Sequence, residues 1–364
     1  MAESHGRGNG APLLEVDTVV KHFPPRRRGG APVQAVDGVS FKLHRGETLA
    51  IVGESGCGKT TLARLLVRLE EPTEGSIRLR GREIHGGGGS DLKALRRTIQ
   101  IVFQDPYASL NPRMTAGEII AEGWEIHDGL VEKADRSSRL AELMELVGLD
   151  PGTRRLHPDL FSGGQRQRIG IARALAVQPE ILVCDEPVSA LDVSVQAQII
   201  NLLLTLQRKL GLAYVFIAHD LSVVRHMTDR VAVMYLGKLV EVGKTDTVFD
   251  NPLHPYSQAL LSAVPSPDPR LSRSGGRIVL EGEVPSPTNP PSGCRFRTRC
   301  WKAAPICSEQ VPELAARGFD HPSACHFAQP LERAPGKGDT ESTGPPQPGH
   351  RPKRNGGDGN VAFA

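Results

Sequence analysis

Apolar residues in this chain recur with two periods, and the switches between them mark most of its elements. Residues 13–20 and 33–43 form short apolar stretches with turns between them, separated by a Pro/Arg/Gly segment at 24–32. That pattern predicts a largely antiparallel β region running into a short apolar strand at 48–52, which is entered from Gly46 and Glu47. Beyond it, Leu62, Leu65, Leu66 and Leu69 fall on one helical face. Residues 75–81 alternate again like a strand, 86–89 read as a flexible glycine loop, and the apolar run at 99–103 stops at Gln104. Between residues 106 and 157 the spacing is helical, with Leu140, Leu143, Met144 and Val147 at i, i+3, i+4 and i+7. Two more apolar strands follow: 181–184, ending in Asp185 and Glu186, and 213–218, delivering His219. A helix is predicted between them from about Val193 to Lys209, with Asp192 at the N-cap position and Gly211 closing it. The expected fold is α/β, with an antiparallel β subdomain and a helical insertion at 106–161.

Between the strand at 48–52 and the helix after it lies Gly53-Glu54-Ser55-Gly56-Cys57-Gly58-Lys59-Thr60-Thr61, which fills the spacing G-x-x-x-x-G-K-[ST]. A strand, a glycine loop and a helix in that order aim backbone N–H groups and the positive helix end at phosphates. Lys59 is then placed to reach the β- and γ-phosphates of a nucleoside triphosphate, and the Thr60 hydroxyl to ligate Mg²⁺. The core is therefore expected to be of the P-loop NTPase class.

Other strand ends carry chemistry that becomes meaningful beside a phosphate loop. Gln104 ends a strand where α/β sheets bind ligands, so it could face a metal ion or an attacking water; alone it would be a plain turn residue. Asp185 fits a Mg²⁺-side role and Glu186 the group that polarises water, whereas an acidic pair is otherwise often a solvated or capping loop. His219 could hydrogen-bond the γ-phosphate, although a lone histidine is usually structural. Ser162-Gly163-Gly164-Gln165 opens a further helix and could present amides to a second anion, or simply cap that helix. Phe23 is placed to stack on a purine, or to be a partly buried core aromatic.

Length and composition set limits. A chain of 364 residues with 39% hydrophobic content suits two or three globular domains. No run reaches the ~18 apolar residues of a membrane span, and residues 1–12 are polar and glycine-rich rather than a signal peptide, so a flexible start and a cytoplasmic location are expected. A net charge of +3 gives no general pull toward nucleic acid; the local run Arg26, Arg27, Arg28 reads as a solvated loop. Of six cysteines, Cys57 and Cys184 stand apart, while Cys294, Cys300, Cys307 and Cys325 cluster late. In a cytosolic chain such a cluster suggests metal rather than disulfides. After Pro330 the composition predicts a disordered tail over 331–364.

In this order the motifs resemble those of the ATPase subunits of ABC transporters, over about residues 13–250. Gly53 to Thr61 looks like the Walker A sequence, Gln104 like the Q-loop glutamine, and Ser162 to Gln165 like the family signature, with Phe161 where leucine is commoner. Asp185 and Glu186 look like the end of Walker B with its catalytic glutamate, Ser189 to Asp192 like the D-loop, and His219 like the switch histidine. Phe23 matches the adenine-stacking position, where tyrosine is usual. The resemblance implies that two such subunits sandwich each ATP between the phosphate loop of one and the signature of the other.

The region at 251–330 resembles the C-terminal extension of oligopeptide and dipeptide importer ATPases, carried by Asn251-Pro252-Leu253-His254-Pro255-Tyr256-Ser257; the stretch from Gln104 to Pro112 resembles the second of their paired ATPases. That implies a second ABC ATPase subunit, two transmembrane permease subunits gripped by the helical region, an extracytoplasmic peptide-binding protein, and a peripheral position on the cytoplasmic face of the membrane. Importers of nickel or other small solutes share the extension. A non-transport ABC ATPase acting on nucleic acid would be expected to carry a long coiled-coil insertion or tandem halves, neither of which is present. The spacing C-x5-C-x6-C-x17-C resembles the subfamily's [4Fe-4S] motif. Four thiolates also suit zinc, and free thiols or a chiefly regulatory iron-sulfur module are the other readings. Arg295, Arg297 and Arg299 could offset an anionic centre.

Overall fold

A computed structural model describes residues 10–25, 29–264 and 278–330. The expectations for Arg26, Arg27 and Arg28, for residues 1–9 and for the tail at 331–364 lie outside the described residues.

Strands β1 (Leu14–Phe23) and β2 (Val33–Leu43) pair antiparallel, Leu14 opposite Leu43 and Phe23 opposite Val33. With β4 (Glu74–Leu79) and β5 (Arg82–Glu83) they make a four-stranded sheet in the order β2-β1-β4-β5. Its inner residues, Leu14, Val16, Val39, Phe41 and Ile77, pack toward Leu62, Leu65 and Leu66 of α1 (Lys59–Leu66). The short strand β3 (Thr48–Val52) does not continue this sheet, contrary to the expectation of one β region flowing into the phosphate loop. All five of its residues are buried, and a strand buried on both faces belongs at the centre of a parallel sheet.

That second sheet has six strands in the order β10-β9-β3-β8-β7-β6, formed by β6 (Ile99–Val102), β7 (Ile181–Asp185), β8 (Ala213–Ala218), β9 (Arg230–Tyr235) and β10 (Lys238–Lys244). It is parallel except for β10, which pairs antiparallel to β9. Every residue of β7 and β8 is buried, which accounts for their unbroken apolar runs.

Residues 106–161 hold α3 (Pro106–Ser109), α4 (Ala116–Ile126) and α5 (Arg136–Leu146), followed by two 3₁₀ turns. A reciprocal capping box between Thr115 and Glu118 starts α4. Trp124 is fully buried and its Nε1–H donates to the Ala176 carbonyl oxygen at 2.9 Å, tying α4 to the end of α6 (Gly163–Leu175). The glycine loop expected at 86–89 is shorter than read: α2 (Gly89–Thr98) begins at its last glycine and buries Leu95. Helix α7 (Val193–Leu210) has Asp192 at its N-cap position, but that side chain makes no cap hydrogen bond; Gly211 closes the helix at φ 67°.

Helix α8 (Leu221–Met227) lies between β8 and β9; after β10 come α9 (Thr245–Asp250) and α10 (Pro255–Ser262), and residues 278–330 then lie back along β10. The Val242 N–H donates to the Pro322 carbonyl and the Ala324 N–H to that of Val240. Glu241 is fully buried and accepts from the backbone N–H groups of Leu253 (2.7 Å) and His254 (3.0 Å) and from His321 Nε2 (2.6 Å). A buried carboxylate with three donors is a stable anchor.

His254, beside it, is fully buried. Its Nδ1 accepts from the Tyr256 N–H at 3.0 Å, and the Ala324 backbone supplies its other hydrogen-bond partner. Burial lowers its pKa to about 4, against the pull of Glu241. A histidine lowered on folding contributes stability that is intact above its unfolded pKa, about 6.5, and lost as pH falls toward about 4. The expected acid-limb loss from this group is up to about 3 kcal/mol. Urea unfolding of His254→Asn should show a shallower fall between those pH values than the parent; identical limbs would remove His254 as the cause.

Candidate nucleotide site

The parallel register determines which residues meet. Val52 lies opposite Ala218, Asp185 opposite Ile217, and Val102 opposite Cys184. Gly53, His219, Glu186 and Gln104, each just beyond one of those residues, therefore emerge at the same edge of the sheet, its C-terminal edge.

Beyond β3 the chain makes a tight loop into α1. Gly58 has φ 110°, and a Cβ there would lie 2.0 Å from the Ala35 carbonyl oxygen, so neither the conformation nor the space admits a side chain. Lys59 spans the loop from beneath, its Nζ donating to the carbonyls of Gly53 (2.8 Å) and Glu54 (3.0 Å). Thr60 Oγ1 donates to Asp185 Oδ1 at 3.4 Å. Burial, with the charge of Glu186, raises the Asp185 pKa, and the Thr60 hydrogen bond opposes the rise.

Glu186 is a non-glycine residue at φ 49°, a strained conformation held by its N–H donating to the Ile217 carbonyl at 3.0 Å. Both carboxylate oxygens are engaged: Oε2 accepts from Gln104 Nε2 at 2.7 Å and Oε1 pairs with His219 Nε2. Burial and the charge of Lys59 lower the His219 pKa, outweighing Glu186. Because the carboxylate oxygen accepts, Nε2 is the donor of this pair. Ser189 Oγ donates back to the Glu186 carbonyl at 3.1 Å.

A cleft of about 330 Å³ opens over this cluster, lined by Phe23, Ser55, Gly56, Gly58, Lys59, Thr60, Thr61, Gln104, Glu186 and His219. Gly53, Glu54, Cys57 and Asp185 do not line it. Asp185 sits behind Thr60, the Cys57 thiol is buried and raised in pKa by that burial, and the Glu54 carboxylate turns away to Arg299. Ser162, Gly163, Gly164 and Gln165 are not brought to the cleft either. They start α6 with a reciprocal capping box, Ser162 Oγ accepting from the Gln165 N–H at 3.3 Å and Gln165 Oε1 accepting from the Ser162 N–H at 2.9 Å. One wall went unread in the sequence: Pro287, from the far C-terminal region, also lines the cleft.

The cysteines Cys294, Cys300, Cys307 and Cys325 come within electrostatic reach of one another, and the Cys294 N–H donates to the Cys307 carbonyl at 2.8 Å. Burial pushes the Cys300 thiol up to about 11. Among the described residues no group of three or more His, Cys, Asp or Glu side chains forms a ready metal cage. The neighbouring arginines make contacts of their own. Arg295 pairs with Asp37 and Gln34, Arg297 bonds to Ser292 at 3.0 Å, and Arg299 forks onto Glu54, each having found a nearer acceptor.

Two family models match this chain: "ABC transporter" over residues 36–189, and "Oligopeptide/dipeptide transporter, C-terminal region" over residues 240–307. The putative oligopeptide transport ATP-binding protein YkfD of Bacillus subtilis is 53% identical over 321 residues, 88% of this chain and 97% of that protein. The oligopeptide transport ATP-binding protein OppF of Salmonella typhimurium is 50% identical over 330 residues (88% and 97%), and the dipeptide transport ATP-binding protein DppF of Haemophilus influenzae 54% over 307 (83% and 93%). Among solved structures, the dimeric post-hydrolysis state of the ATP-binding cassette MJ0796 bound to ADP and Pi aligns with TM-score 0.58 at 29% identity, covering 64% of this chain and 99% of that one. The chain belongs to the ATP-binding subunits of the ABC transporter family. It is an ABC-type ATPase whose C-terminal region is of the oligopeptide/dipeptide transporter type.

Gly58→Ala should cost about 2 kcal/mol or more of stability and at least about tenfold in ATP affinity, since the new methyl must displace backbone. Thermal melts with a nucleotide titration check this, and an unchanged affinity would show that the loop tolerates the shift.

Proposed function

We propose that this chain is the ATP-hydrolysing subunit that powers import of di- or oligopeptides, and that Glu186 is its catalytic base. The observation that carries the catalytic part is the Glu186 carboxylate, held through both oxygens by Gln104 and His219 at the mouth of the phosphate-loop cleft. The relatives' names and the C-terminal family match support the peptide cargo.

ATP is the substrate. Phe23 stacks on its base side, the backbone of the loop residues that line the cleft, Ser55, Gly56, Gly58, Thr60 and Thr61, and the Lys59 ammonium hold its phosphates, and water attacks the γ-phosphorus as the bond to the bridging oxygen breaks, giving ADP and phosphate. Glu186 takes the proton from that water, and His219 holds the carboxylate in position through Nε2–H. Because Gln104 and His219 already occupy Glu186, the base is freed only when one of them re-pairs with substrate. Thr60 and Asp185, with Gln104, would hold Mg²⁺, which when bound neutralises charge on the β- and γ-oxygens. A hydroxyl beside a buried carboxylate fits such an ion.

Ser162 to Gln165 serve a second ATPase subunit in this reading, since they cap a helix away from the chain's own cleft. The dimeric, nucleotide-bound state of the MJ0796 cassette supports this arrangement. The remaining partners are two transmembrane permease subunits, gripped by the helical region at 106–161, and an extracytoplasmic binding protein. The ATPase domain is placed at 13–250 and the extension at 251–330. No described helix is long and apolar enough to cross a membrane, so attachment to the cytoplasmic face would run through the permeases.

The four late cysteines are proposed as ligands of a [4Fe-4S] cluster, with zinc as the competing occupant. What supports this reading is the chemistry of the donor set, four thiols spaced C-x5-C-x6-C-x17-C, of which Cys307 and Cys325 are buried and Cys294 and Cys300 half-buried. Anaerobic purification should give a brown protein with about four irons per chain; a colourless protein with one zinc would sink the cluster.

Glu186→Gln should keep ATP binding while turnover falls by at least about 10²-fold, because the amide cannot accept the proton. Single-turnover hydrolysis on the purified transporter reads this, and wild-type turnover would remove Glu186 from its role. Uptake of radiolabelled di- and oligopeptides by the same complex tests the cargo; transport of a small solute alone would overturn it.

A further inference from the structure

Four attachments join the cysteine-bearing extension to the nucleotide site and the strand beside it. Arg299, one residue before Cys300, has a side chain only 8% exposed and forks onto Glu54, with contacts of 2.7 and 3.2 Å to its two carboxylate oxygens. The N–H of the same Glu54 donates to Tyr256 Oη at 2.8 Å, so both the side chain and the backbone of the loop's second residue are held from beyond residue 250. Tyr256 is fixed in turn by ring contacts with Tyr235 and with Phe296, at centroid distances of 4.7 and 5.4 Å. The Pro287 carbonyl accepts from the Gln34 N–H at 3.0 Å, and Pro287, like Phe23, lines the cleft. Arg295 braces the same strand through Asp37 and Gln34.

We infer that the C-terminal extension is a working part of the nucleotide site, with Arg299 a positioning residue that sets the phosphate loop through Glu54. This rests on reading the cleft as the ATP site. Glu54 does not touch the cleft, so Arg299 acts on the loop's shape and not on the reacting atoms. A planar fork on a carboxylate in a largely buried place restricts orientation as well as distance, which an ammonium cannot do. The loop amides need a fixed geometry to bind phosphate, and Arg299 and Tyr256 supply it from positions 245 and 202 residues away in sequence.

The test is equilibrium binding of ATP and ADP to the full chain, with steady-state turnover of the assembled transporter. Arg299→Ala should weaken both nucleotides about tenfold and raise the apparent KM, leaving turnover at saturating ATP within about twofold. Arg299→Lys should recover part of the affinity, to about threefold below the parent, and it carries the test if the alanine variant does not fold. The double variant Arg299→Ala with Glu54→Ala should bind no more weakly than the weaker single variant, because the two residues act as one unit. Unchanged affinity in Arg299→Ala, or additive losses in the double variant, would overturn the inference even if the melting temperature falls. Lys59→Ala separates the two levels. If it abolishes binding while Arg299→Ala leaves affinity intact, the cleft stands and the inference fails; if Lys59→Ala binds like the parent, the cleft is not the ATP site and both fall.

Discussion

The register between β3, β8, β7 and β6 is the constraint on which the remainder depends. Val52 opposite Ala218 and Val102 opposite Cys184 leave no freedom in where Gly53, His219, Glu186 and Gln104 emerge. A parallel sheet buried on both faces holds that register firmly, because a slip of one residue would exchange the faces of every packed side chain. Catalytic geometry is thus set by the core. The strained backbone at Glu186 can persist because its N–H is tied to β8 and its two carboxylate oxygens to separate strand ends.

The C-terminal region is continuous with that core. Fully buried Glu241 draws α10 and His321 onto β10, and Tyr235, Tyr256 and Phe296 pack as one aromatic group beneath the phosphate loop. Such an arrangement makes the extension costly to detach, since removing it would leave a buried carboxylate with its donors gone. It also places Cys300 one residue from Arg299, whose side chain grips the loop.

Sequence periodicity was a good guide where burial is uniform and a poor one where contacts are long-range. The strands β7 and β8 stood out as unbroken apolar runs because both their faces are covered. The phosphate loop was legible because its glycine positions answer to backbone geometry, as at Gly58. By contrast, α2 was lost among consecutive glycines although Leu92 and Leu95 carry its inner face, a spacing of three that a closer count would have found. The assignment of β3 to the second sheet depended on burial of both faces, which five residues alone do not reveal. Nothing local announced the Glu54–Arg299 pair, and the arginines near the cysteines read as partners for a cluster until their actual acceptors were visible. Asp192 has the right residue type for a cap, yet its side chain makes none.

We propose that one chain carries half of each ATP site, its phosphate loop facing its own cleft and its Ser162–Gln165 loop serving another subunit. Nucleotide binding and turnover measured side by side on Ser162→Arg test this most directly. The separate chain should bind ATP as the parent does, while hydrolysis by the assembled transporter falls at least about tenfold, because the bulky cation enters only the partner-facing surface. Loss of ATP binding by the separate chain, or parent-like turnover in the transporter, would contradict it.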